Sequence, residues 1–336
     1  METELRADTP PRPQYASLSD AWEQPDGAIP LNGLIERQQF PPWLTALFGI
    51  FLALILFHFI VGPIATFGIL MAQGIPPMEV LNSLETVIAE NAKPLLIANT
   101  IGQVLALALP FLIIAGWHSR KKWAFLRFRT PNWSLVGLSV FGLVGLTPIA
   151  WWLGNLNAQI PLPDAIRQLE ESQLELIEQV LQQDLGLVFS LAVMALTPAI
   201  CEEILFRGYL QRQFERAMGV LPAIVLIGVI FGFFHLRFTQ VIPLSVIGIY
   251  LAYITWRSGS LWLAIIIHFA NNAFAVCLGI YLSGQSDVTL EELERMQVPV
   301  PALIAGFLIL AAVLYMMEKI ARDRIGAAGN AAPVVS

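Results

Sequence analysis

The chain has 336 residues, 56% of them hydrophobic and only 13% charged, with a mean hydropathy of +0.67. Soluble domains carry about a quarter charged residues, so a water-soluble globular fold is excluded and an integral membrane protein is implied. The net charge of −6, without a basic stripe, argues against a nucleic-acid partner, and Cys201 and Cys277, both within apolar stretches, supply no disulfide framework.

Residues 1–40 are polar, include Thr9-Pro10-Pro11-Arg12-Pro13 and lack an apolar core segment. They read as a flexible cytoplasmic tail and not as a signal peptide. Runs of about 20 apolar residues span a bilayer as helix. Eight such runs follow, at 43–71, 94–117, 133–153, 185–208, 218–236, 241–256, 261–282 and 301–317. The expected fold is all-α, a polytopic bundle of about eight transmembrane helices with a catalytic chamber inside it. Residues 41–160 hold the first three spans. Gly62-Pro63 predicts a kink in the first, where His58 is read as bonded to a neighbouring helix or near a water defect. The second ends at His118-Ser119-Arg120-Lys121-Lys122, a membrane-flanking anchor in which His118 is read as a solvated interface residue.

Residues 161–184 form an extracytoplasmic amphipathic helix. Ile166, Leu169, Leu176, Ile177 and Val180 recur at helical spacing, opposed by Glu170, Glu171, Glu175 and Glu178, so the apolar stripe is expected to lie against the outer ends of the spans. Residues 185–284 carry the chemistry, 285–325 the last span, and 326–336 a Gly/Ala-rich disordered tail. With both termini inside, all of the 19 Lys and Arg residues except Lys93, Arg167, Arg237 and Arg295 fall on the cytoplasmic side, as the positive-inside rule requires. A plasma membrane or another energy-transducing membrane is the expected location.

The chemistry centres on Glu202 and Glu203, which end a run of uncharged residues from Leu185 to Cys201. Carboxylates at that depth need partners. Arg207 lies four residues after Glu203 on the same helix face, so Glu203 is read as its partner and not as a catalyst. Glu202 is rotated by about 100° and must meet another helix. Gly219 stands midway between positions 203 and 235, so a reversal there sets the Glu pair and His235 at one height on antiparallel neighbours, provided the helix continues beyond Gly208. Thr197-Pro198 removes a backbone hydrogen bond and is expected to bend this helix, opening room beside Glu202.

His268 and Asn272, four apart on a later span, share a face that closes the other side of a polar chamber. Neighbouring Asn271 reads as a packing or hydrogen-bonding residue. A carboxylate beside a neutral imidazole can hold a water, take its proton and return it to a leaving amine, while a second imidazole and an amide stabilise the oxyanion. Glu202, His235 and His268 also suit a zinc ion with an open water position. The residues alone do not choose between these two versions.

Glu202-Glu203-xxx-Arg207, Phe231-xxx-His235 and His268-xxx-Asn272, in that order, resemble the three-motif signature of the CAAX-protease and bacteriocin-processing superfamily of intramembrane endopeptidases, which includes the type II CAAX prenyl endopeptidase. The resemblance covers about residues 185–284. It implies that Glu202 and His235 activate the attacking water, that His268 and Asn272 support the oxyanion, and that Glu203 with Arg207 is supporting structure. It also implies access to the chamber from the cytoplasmic side. Members have been described both as metalloproteases and as metal-independent glutamate proteases, so zinc dependence stays open. The function expected is hydrolysis of a peptide bond in a membrane-associated protein or peptide. A non-proteolytic scaffold or bacteriocin-immunity-type protein of the same family, and a proton-coupled transporter, are the alternatives.

Overall fold

The computed structural model describes residues 29–83, 86–87, 90–183, 185–283 and 296–331, and among these it is helical with no strand. In chain order the main elements are α1 (Pro42–Ala72), α2 (Ala92–His118), α3 (Trp133–Asn157), amphipathic α4 (Asp164–Gln182), α5 (Leu187–Met218), short α6 (Val220–Phe234), α7 (Val241–Ser258), α8 (Leu261–Ser283) and α9 (Val300–Ala331). Among the described residues seven helices, all of these except α4 and α6, are long and apolar enough to cross a membrane, α7 with the 3₁₀ turn Phe238–Gln240 that leads into it. The chain is therefore a polytopic all-α membrane protein.

The eighth expected span is α6, and it is shorter than its apolar run suggested. Its 15 residues reach only about 22 Å, against the ~30 Å of a bilayer core. Conversely α5 has 32 residues and passes well beyond Gly208. It ends at Gly219, whose φ of +86° lets the chain reverse directly into α6. The reversal at Gly219 on which the spacing argument depends is thus present.

Prolines shape the long helices without breaking them. Pro63, Pro110 and Pro198 each stand two residues after a wide, π-type segment, at Ile55–Val61, Val104–Ala108 and Leu191–Leu196. A proline has no N–H and its ring crowds the carbonyl one turn back, and a widened turn relieves that crowding while the helix continues. Thr197 Oγ1 and its backbone N–H both donate to the Ala192 carbonyl, the former at 2.9 Å. A fourth wide segment, Ile204–Leu210, has no proline, carries Arg207 and is buried throughout.

One apolar core gathers α1, α2, α5 and α6 around Phe111, Phe206, Tyr209, Phe231 and Phe234; a second joins α3, α7, α8 and α9 around Leu146, Tyr250, Ile254, Ile267 and Val313. Glycines set the closest approaches. A Cβ on Gly228 would lie 2.6 Å from the Ile249 backbone nitrogen, and one on Gly306 would lie 2.7 Å from the Gly145 carbonyl. The α6/α7 and α3/α9 pairs therefore pack backbone against backbone.

Several expectations about the ends of the bundle are corrected. Residues 1–28 lie outside the described residues, but the rest of the expected tail is docked. Ser119 Oγ donates to the Pro30 carbonyl at 2.7 Å, Gly33 N to the His118 carbonyl at 2.9 Å, and Arg120 N to Asn32 Oδ1 at 3.2 Å. His118 is buried, with Nδ1 2.6 Å from Glu36 and Nε2 near Tyr209 and Gln213. Arg216 grips both oxygens of Glu36 at 2.8 Å, and buried Arg127 pairs with Glu215. The C-terminal turns of α5 thus exchange charges with other segments through Arg216 and Glu215, because α5 runs on inside a protein shell where each charge needs a counter-charge. At the C-terminus α9 is helical as far as Ala331, beyond the start of the expected tail at 326; residues 332–336 lie outside the described residues.

Candidate active site

Glu202 and Glu203 sit half-way along α5, and the turn of the helix sends them to different partners. Glu203 is fully buried, and one oxygen, Oε1, accepts from Arg207 Nη1 at 2.7 Å and from His268 Nδ1 at 2.7 Å. The i,i+4 pair expected from the sequence is present. Its extension to His268 on α8 was not foreseen, because nothing in the spacing of two separate helices gives their relative rotation. Arg207 also donates to the Gly248 carbonyl at 3.0 Å and lies 4.4 Å over the Phe231 ring. Three elements thereby converge on one buried guanidinium.

Glu202 faces α6. Its Oε2 stands 3.9 Å from His235 Nε2, with the two side chains 13% and 30% exposed. That separation is too long for a hydrogen bond, and Glu202 Oε2 has no hydrogen-bond partner among the described residues. His235 Nδ1 is 2.8 Å from the Phe231 carbonyl. A carbonyl only accepts, so Nδ1 carries a proton, and in the neutral imidazole Nε2 then holds the lone pair that faces Glu202. The 3.9 Å gap between two acceptors fits one water at about 2.8 Å from each.

Phe231 is the hub of the site. Its ring packs edge-on against His235 at 4.7 Å and His268 at 5.7 Å, and its carbonyl orients His235. Sequence reasoning used it only as part of a motif, since a phenylalanine within an apolar run carries no chemical signal of its own. Asn272 lies one turn beyond His268 on α8 and accepts from Asn271 Nδ2 at 3.3 Å. His58, in the wide segment of α1, packs 5.5 Å from Phe234, and its buried Nε2 has no hydrogen-bond partner among the described residues, so of its two expected settings the interhelical bond is not the one seen.

The metal version of the site requires Glu202, His235 and His268 to share one ion. Among the described residues no three His, Cys, Asp or Glu side chains gather closely enough to hold one. His268 turns one nitrogen to Glu203, and Glu202 and His235 stand 3.9 Å apart, wider than the ~3.3 Å edge of a tetrahedral zinc site with ligands at about 2.0 Å. As placed, the trio does not fit a zinc centre.

Residues 184–274 match the family model described as Type II CAAX prenyl endopeptidase Rce1-like. No curated protein and no solved structure gives a match to the chain. The matched segment contains Glu202, Glu203, Arg207, Phe231, His235, His268 and Asn272, and the match supports the CAAX-protease family for this part of the chain.

Proposed function

We propose that the protein is an intramembrane endopeptidase that hydrolyses a peptide bond of a membrane-associated substrate with a water held between Glu202 and His235. The observation that carries this reading is the 3.9 Å gap between Glu202 Oε2 and a His235 Nε2 whose other nitrogen is already committed. Water there directs its two protons at the two acceptors, leaving an oxygen lone pair for the scissile carbonyl carbon. As the C–O bond forms, one proton passes to the Glu202/His235 pair, and the same pair returns it to the leaving amine as the C–N bond breaks.

His268 receives a further role from its geometry. With Nδ1–H on Glu203, a neutral His268 has only a lone pair at Nε2 and cannot donate to an oxyanion. It does so once protonated, and the Glu203 carboxylate stabilises that imidazolium. Asn272, one turn away, supplies an amide donor beside it. Glu203 therefore acts as the counter-ion of two cations in addition to bracing Arg207. The donor spacing favours this metal-free chemistry over a shared zinc.

The family description gives the substrate class to try first, a prenylated peptide, and the family resemblance implies access from the cytoplasmic face. The test is hydrolysis of prenylated and unprenylated peptides in bilayers, with and without chelator, by wild type, Glu202→Gln and His235→Ala. Each substitution is expected to lower turnover about 10²- to 10⁴-fold, with chelator inert. Chelator-sensitive turnover restored by added zinc defeats the metal-free mechanism; absence of cleavage of any peptide defeats the peptidase reading.

A further inference from the structure

In the amphipathic helix α4 the stripe residues Ile166, Ile177 and Val180 are partly buried, but one position departs from the pattern. Leu169 is 56% exposed, whereas neighbouring Glu170 is 6% exposed. Burying a carboxylate in place of a leucine runs against hydrophobic burial, so something must compensate it. Glu170 Oε1 accepts from Phe238 N and, at 3.2 Å, from Thr239 N, while Oε2 accepts from Thr239 Oγ1 at 2.5 Å.

These groups belong to residues 236–240, the link between His235 and α7. Because α6 stops after 15 residues, this link, irregular at 236–237 and a 3₁₀ turn at Phe238–Gln240, has N–H and C=O groups without α-helical partners. From the end of α3, Asn157 completes the frame: its Nδ2 donates to the Phe238 carbonyl at 2.9 Å and its Oδ1 accepts from Ile242 N at 2.8 Å. Leu236, next to His235, is held at a φ of +53°, a conformation that a leucine keeps only when its surroundings impose it. The same helix α4 also packs against α8, which carries His268 and Asn272.

We infer that Glu170 is a positioning residue for catalysis, fixing the His235 imidazole relative to Glu202 through the clamped link 236–240. Asn157 holds the same link from its other side. The inference rests on the peptidase reading for its activity readout and on the observed hydrogen bonds for its structural one. Its consequence is that α4, outside the matched motifs in its chemistry, sets the geometry of the water-activating pair.

The experiment compares Glu170→Ala, Glu170→Gln and the milder Thr239→Val in the full-length protein, by turnover across pH, thermal stability, and the NMR signals of ring-labelled His235. Glu170→Ala is expected to lower kcat about tenfold or more with KM within about twofold, as a small displacement of a catalytic group does, and to move the acid limb of the pH profile. Glu170→Gln recovers much of the loss, because an amide oxygen still accepts from N–H, and Thr239→Val loses about threefold with the removal of one bond. Unchanged kcat and pH profile per folded molecule, with only stability reduced, overturns the inference and leaves Glu170 as a brace. If the wild type hydrolyses nothing, the peptidase reading fails on its own. The His235 signals then decide: displacement by Glu170→Ala upholds the positioning role, and unmoved signals overturn it.

Discussion

Replacing Glu203 by Gln keeps the shape of the side chain and removes its charge, which separates its two duties. In the wild type, two charge-assisted hydrogen bonds of 2.7 Å each end on one oxygen, from Arg207 and from His268. Such bonds contribute about 1.5–3 kcal/mol each, and removing one partner of a buried pair costs about 3–5 kcal/mol because the other charge is left uncompensated. Arg207 keeps the Gly248 carbonyl and the Phe231 ring, and a Gln oxygen still accepts one weaker bond, so the lower end, about 3 kcal/mol, is expected. Against the ~5–15 kcal/mol that holds a typical domain together, such a loss is plain in detergent titration or thermal unfolding. Adding Arg207→Met to Glu203→Gln removes the stranded charge and should restore most of the stability. Turnover should stay low, on the order of 10²-fold down, because His268 no longer has an anion to stabilise its protonated form. A single variant within about 1 kcal/mol of wild type, or a double variant less stable than either single, refutes the assignment of Glu203 as shared counter-ion.

Two further predictions concern the frame around the site. Glu36 lies outside the spans; its burial tends to raise the carboxyl pKa, but hydrogen bonds from His118 and Arg216 and the Arg216 charge outweigh this and hold it below the ordinary 4.5. A lowered pKa stabilises the docked segment fully above about pH 4.5, and that contribution is lost as the pH falls through the lower folded value. Hydrogen exchange of residues 29–39 should therefore quicken on acidification below that point, and Glu36→Gln should exchange fast at every pH; equal protection in the two proteins at neutral pH sinks the prediction. Gly228→Ala places a Cβ 2.6 Å from the Ile249 nitrogen, so α6 and α7 must part at a cost of about 1–3 kcal/mol. Since Gly248 bonds Arg207, turnover should fall with stability, and a variant with wild-type melting temperature contradicts the backbone packing.

Much of this molecule was legible one residue at a time. Apolar runs announce membrane helices because bilayer thickness sets a length and lipid tolerates few charges. Given a reversal at Gly219, the nearness of the Glu pair to His235 followed from their equal spacing about it, and the Glu203–Arg207 pair from helical periodicity. The polar motifs marked the domain that the family model independently matches. These are local properties, decided within one helix or between two helices joined by a tight turn.

Partnership across helices was decided only by the tertiary structure. The sequence could not say that Glu203 would take His268 as well as Arg207, that Glu170 would turn inward while Leu169 faced out, or that His118 and Arg216 would close on Glu36. Each depends on how far one helix is rotated against another and on where a short helix leaves backbone groups in need of partners. Hydrophobic periodicity predicts the face that burial alone prefers. At Leu169 and Glu170 of α4 the N–H groups of Phe238 and Thr239 outweighed that preference, because a buried donor without an acceptor costs as much as a leucine gains by leaving water.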